Sequence, residues 1–93
     1  MNLRLEQAVG LSRAMLAAAG EGDWEALARL QDERERLLEL APPAGPGDEA
    51  VLGTLIDCNR QLCEVVARER DKAAQEWQAA QGRSHAIAAY LRG

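Results

Sequence analysis

The residues that most often carry chemistry are few in this sequence and are poorly placed to act together. The two cysteines, Cys58 and Cys63, are five positions apart; on one helix their directions differ by about 140°, which prevents a disulfide. No histidine clusters with these thiols, so the spacing of a zinc site is missing. The single histidine, His85, has no positioned carboxylate or nucleophile beside it. We therefore expect no enzyme activity, no metal and no other cofactor, and interpret the cysteines as small apolar residues in a reducing compartment.

Composition and charge exclude further classes of function. The chain has 11 Lys and Arg against 15 Asp and Glu, a net charge of −4, so we expect neither a nucleic-acid partner nor binding to anionic lipid. No apolar run approaches the roughly 20 residues of a membrane-spanning helix, and the N-terminus lacks the apolar stretch of a signal peptide. Aromatic residues make up only 3% and strong helix formers dominate, which predicts an all-α fold.

Two turn-forming segments divide the chain into three predicted helices. Gly20–Asp23 is the first, with Gly20 suited to the left-handed residue that ends a helix, and Pro42–Gly47 is the second. Asp23 and Asp48 are good N-terminal caps for the helices that follow. The predicted helices span about residues 3–19, 23–40 and 48–91, and a chain of 93 residues forms one domain, 1–93.

The three predicted helices differ greatly in length. The third has about 43 residues and reaches about 65 Å, whereas the first two reach only about 27 Å. The sequence therefore predicts an antiparallel helical hairpin packed on a longer third helix, a three-helix bundle in which shielding of the third helix ends near Val66. In the second helix, the mixed-charge run Asp32–Arg36 is typical of a solvated face.

The third helix is apolar over more of its circumference than a surface helix normally is. Between Val51 and Val66 its apolar residues fall on three stripes rather than on one face of about 100°. We expect part of this surface to stay uncovered and to mark an interaction site, although two short helices that straddle the third would cover all of it. The residues predicted to contact a partner are Leu52, Leu55, Ile56, Leu62, Cys63 and Val66.

Farther along the third helix, a weaker and alanine-rich stripe recurs at helical spacing. Its small side chains permit close approach of another helix, from a partner or from a second copy. A second hypothesis is therefore a structural homo-oligomer, such as a homodimer, in which the ends of the third helices pair. The stripe consists of Ala73, Trp77, Ala80, Ile87, Tyr90 and Leu91.

Several segments together resemble the FliT family of flagellar export chaperones. They are Leu11–Ala19, the turn and helix start Gly22–Leu27 with its Gly-Asp-Trp sequence, the Glu/Arg-rich segment Glu33–Leu38, and Ala86–Tyr90. The resemblance covers nearly the whole chain. The Gly-Asp-Trp turn is the distinctive part of the resemblance, because helical sequences rich in Leu, Arg and Glu are common to many proteins.

The resemblance implies a function. FliT proteins bind the filament-cap protein FliD in the cytoplasm, hold its C-terminal region unpolymerised and deliver it to the flagellar type III export apparatus. Some members contact the export ATPase, and some bind the transcription activator FlhDC, which is a further alternative here. Client binding is associated with the apolar face of the third helix, where the matching positions are Leu52, Ile56 and Cys63.

Overall fold

The computed structural model describes residues 2–92 and consists of three helices joined by turns. These are α1 (Leu3–Glu21), α2 (Trp24–Leu40) and α3 (Glu49–Arg92), and no strand occurs in this part of the chain. The all-α fold with three helices is confirmed, and each helix boundary lies within two residues of its predicted position.

The turn between α1 and α2 is defined by one glycine and one aspartate. Gly22 adopts the left-handed conformation with φ 73°, and the Asp23 N–H donates to the Ala18 carbonyl at 2.9 Å. The prediction that Gly20 is the left-handed residue at the end of α1 is wrong, because α1 continues to Glu21. The bond from the Asp23 N–H to the Ala18 carbonyl closes the helix end, and this type of bond requires the residue just before Asp23, which is Gly22, to be left-handed. The Asp23 carboxylate then caps α2 by accepting from the Ala26 N–H at 3.1 Å.

The opposite end of the hairpin is tied by the residues that start α1. The Asn2 side chain caps α1 by accepting from the Leu5 N–H at 3.3 Å, and its amide donates to the Pro42 carbonyl at 3.1 Å. The Arg4 guanidinium donates to the Leu40 carbonyl at the end of α2. Before α3, the buried Asp48 accepts from the Gly45 N–H at 2.9 Å, which folds the connecting loop. These bonds fix where α2 ends relative to α1.

The central element is α1, which packs against both α2 and α3. No Cα atom of α2 lies within 8 Å of one in α3 across the described residues, so α2 meets α3 only through side chains that pack on the same core. Most of the buried apolar residues belong to α1, and α2 has no fully buried residue. The core is formed by Met15, Ala19 and Leu62, and half-buried apolar side chains from all three helices pack against it.

The C-terminal end of α3 extends beyond the other two helices. In residues 71–92 every side chain is exposed except the half-buried Ala88, and the molecule measures 72 × 20 × 16 Å. Glu76 is the last α3 residue that shares a cavity with Trp24, and we call the residues after it, 77–92, the overhang. No helix within residues 2–92 is both long enough and apolar enough to cross a bilayer.

Candidate partner-binding groove

An open groove runs between α2 and α3, with α1 as its floor. It exists because the backbones of α2 and α3 lie close to α1 but not to each other, which leaves some of their facing side chains, such as Leu38 and Ile56, exposed. Two adjoining cavities of about 280 and 390 Å³ make up the groove, and Arg34 and Asn59 line both of them. We call this surface the α2/α3 groove.

Most of the residues predicted to contact a partner lie on the α3 wall of this groove. Five of the six line it, namely Leu55, Ile56, Leu62, Cys63 and Val66. Ile56 is 62% exposed, whereas Leu62 is only 8% exposed because it packs into the core beneath the groove. Leu52, the sixth, is half-buried and lies one turn before Leu55 and Ile56, outside the groove lining. Whether these residues contact a partner stays a prediction.

The opposite wall comes from α2 and was not predicted as part of a site. Leu27, Gln31, Arg34 and Leu38 are spaced by four, three and four residues, which places them on one face of the helix. That spacing is visible in the sequence, but by itself it does not distinguish the wall of a groove from an apolar helix face that packs in the core. The interpretation of Asp32–Arg36 as a solvated face is wrong at Arg34, which is half-buried because it points into the groove.

The polar side chains that line the groove are basic or neutral. They are Gln31, Arg34, Asn59 and Arg70, and no Asp or Glu lines either cavity. Arg34 donates from Nη1 to Oγ of Ser12 at 3.2 Å, and Ser12 is fully buried in α1. The groove is therefore an apolar surface with two cations, although the chain as a whole carries a net charge of −4.

The metal-ligating residue types are scattered among residues 2–92. No group of three or more His, Cys, Asp or Glu side chains is placed to hold a metal ion in that range. Both cysteines are free thiols, Cys58 buried and Cys63 exposed at the groove. His85 is exposed on the overhang. The α2/α3 groove is lined mostly by apolar side chains.

The family of the chain follows from a comparison of its sequence with family models. The model described as flagellar protein FliT matches residues 3–92, a range that includes all three helices. This chain belongs to the FliT family. No curated protein and no solved structure matches it. The resemblance predicted from the sequence is therefore confirmed over nearly the whole FliT-family chain.

The Gly-Asp-Trp turn of this FliT-family chain lines a further cavity. Gly22 and Trp24 line a third cavity, of about 430 Å³, whose other side is formed by α3 from Val66 to Glu76. This cavity shares Val66 and Arg70 with the α2/α3 groove, but most of its α3 lining is charged, namely Glu69, Arg70, Lys72 and Glu76. The apolar groove itself runs from Leu55 to Arg70 and extends about 22 Å at 1.5 Å per residue.

Proposed function

We propose that this FliT-family protein is a non-enzymatic, cytoplasmic chaperone of flagellar type III export that binds the filament-cap protein FliD and masks its C-terminal region. The observation that carries the proposal is the open apolar groove between α2 and α3. It is the kind of surface that accepts the apolar face of an amphipathic helix. The family match supports a flagellar role.

The dimensions of the groove suit a helical client. A surface of about 22 Å accommodates a helix of about 15 residues, or four turns. Such a helix would cover Ile56 and Leu38, which are large apolar side chains now exposed on opposite walls. While it is covered, the apolar face of the client cannot associate with other copies of the client, which is the physical basis of masking. Release at the export apparatus, with the export ATPase as a second partner, completes the proposed cycle.

The contribution of Ile56 sets the size of the effect expected from a substitution. Full burial of an isoleucine contributes about 1.5–3 kcal/mol, and 62% of Ile56 remains to be covered. Its share of the binding free energy is therefore about 1–2 kcal/mol, or about 5- to 30-fold in affinity. An aspartate at this position removes that apolar contact and places a carboxylate in the cavity that Arg34 also lines.

Calorimetric titration with the C-terminal segment of FliD tests the proposal. We expect Ile56→Asp to weaken binding by about 5- to 30-fold. Ile87→Asp is a matched control because Ile87 is 60% exposed but lies on the overhang, outside the groove, and it should leave affinity unchanged. Circular dichroism verifies that both variants fold. If Ile56→Asp binds as tightly as the unchanged protein, the groove is not the client site.

A second candidate function rests on the overhang. Trp77, Ile87 and Leu91 are each at least 60% exposed, and pairing of two overhangs across a two-fold axis would bury them in a structural homodimer. Light scattering separates the two candidates, because a particle of 10.1 kDa at micromolar concentration excludes the structural dimer. A dimer that dissociates when client is added would instead favour the chaperone.

A further inference from the structure

The α2/α3 groove contains one charge whose environment is unusual. Arg34 is half-buried at the point where the two cavities meet, so it lies near the middle of the apolar surface. Within residues 2–92, no Asp or Glu oxygen lies within 4 Å of its guanidinium. The ion pair found among residues 2–92 does not involve Arg34; it joins Arg60 and Asp57 on the exposed side of α3.

The hydrogen bonding of Arg34 is also incomplete. A guanidinium has five N–H donors, and Arg34 uses one of them, toward the neutral hydroxyl of Ser12 at 3.2 Å. Charges that leave bulk water are normally paired, because an unpaired ion in apolar surroundings is costly. A client helix that covers the groove would remove the remaining water from Arg34. The occupant must therefore supply acceptors, or binding is penalised.

We propose that the groove selects an apolar helical segment that bears one carboxylate within its apolar face, placed to pair with Arg34. This inference rests on the proposed function and specifies the client chemistry that the site takes. A single carboxylate fits better than an acidic segment, since the chain carries a net charge of −4 and repels extended negative charge. The two groove amides, Gln31 and Asn59, lie beside Arg34 and offer further donors to the same carboxylate.

The geometry also explains why Arg34 would discriminate among clients. The side chain is held from below by the buried Ser12 on α1, so its planar fork is partly fixed before the client arrives. A fixed guanidinium binds a carboxylate through two parallel hydrogen bonds with little loss of side-chain freedom. An uncharged apolar helix of the same shape leaves those donors unpaired and binds more weakly.

A double-mutant cycle tests the pairing. Arg34→Gln in the full chain is combined with FliD C-terminal segments in which each Asp or Glu is changed in turn to its amide. Arg36→Gln is the matched control, since Arg36 follows two residues later, is exposed and does not line the groove. Ser12→Ala tests the alternative, in which Arg34 acts only by holding α2 on α1.

We expect Arg34→Gln to weaken binding of the unchanged segment about tenfold or more, and Arg36→Gln to have no effect. One amide-substituted segment should bind the unchanged protein more weakly by a similar factor. The same segment should bind the Arg34→Gln variant no more weakly than the unchanged segment binds that variant. Additive effects for every segment would overturn the inference while leaving the proposed function intact, provided that Ile56→Asp still weakens binding. If the unchanged protein binds no FliD segment, the proposed function fails and this inference fails with it.

Discussion

Deletion of residues 77–93 is expected to leave the stability of the three-helix core almost unchanged. In residues 77–92 every side chain is exposed except the half-buried Ala88, so the deletion removes little buried apolar area. Extension of an exposed helix adds little free energy per residue, because propagation constants are close to one. We expect the free energy of unfolding to fall by less than about 1 kcal/mol, compared with about 2–5 kcal/mol for one methionine-to-alanine change in the core.

Urea denaturation followed by tryptophan fluorescence measures this difference. The deletion removes Trp77 and leaves Trp24 as the single fluorophore. The matched control is therefore full-length Trp77→Phe, which also reports through Trp24 alone. A loss of more than about 2 kcal/mol, or a midpoint of the full-length control that rises with protein concentration, would refute the reasoning. Either result would show that the overhang is packed in solution, most simply against a second copy.

Two further predictions concern the hairpin. Met15→Ala should lower the free energy of unfolding by about 2–5 kcal/mol in the same urea assay, because Met15 is 1% exposed at the centre of the core. Leu40→Ala is the control, since Leu40 is 66% exposed, and it should lower the free energy of unfolding far less. Equal losses for the two variants would contradict the core assignment. Asp23→Ala should lower the thermal midpoint through a loss of about 1 kcal/mol in stability, because it removes the acceptor for the Ala26 N–H. Asp23→Asn keeps an acceptor oxygen and should retain most of that stability. An unchanged midpoint for Asp23→Ala would show that this cap is dispensable.

The helices could be predicted from the sequence because each has local signals. Asp23 as a cap and Pro42 as a breaker fix the limits of α2 within one residue, and the absence of proline after Pro46 predicts the long α3. The packing order could not be predicted in the same way. Helical periodicity shows which residues are apolar but not which neighbour they face, so the central position of α1 emerged only from the structure. The end of α1 depends on a bond between Asp23 and Ala18 that no single residue signals.

The same distinction applies to the candidate site. The breadth of the apolar surface on α3 was enough to predict five residues that line the groove. The α2 wall was missed because its leucines have the ordinary spacing of a core face. Arg34 was missed because it stands in a run of alternating charges, and its environment depends on Ser12, which is 22 positions away. A residue whose role depends on a distant neighbour carries no local signature.

The central position of α1 has a mechanical consequence. Because α2 and α3 share no Cα pair within 8 Å among the described residues, the separation of the two walls is set by the α1 side chains between them. Met15 lies both at the bottom of the cleft and in the core. A residue of different volume at this position therefore changes the width of the cleft as well as the stability of the protein.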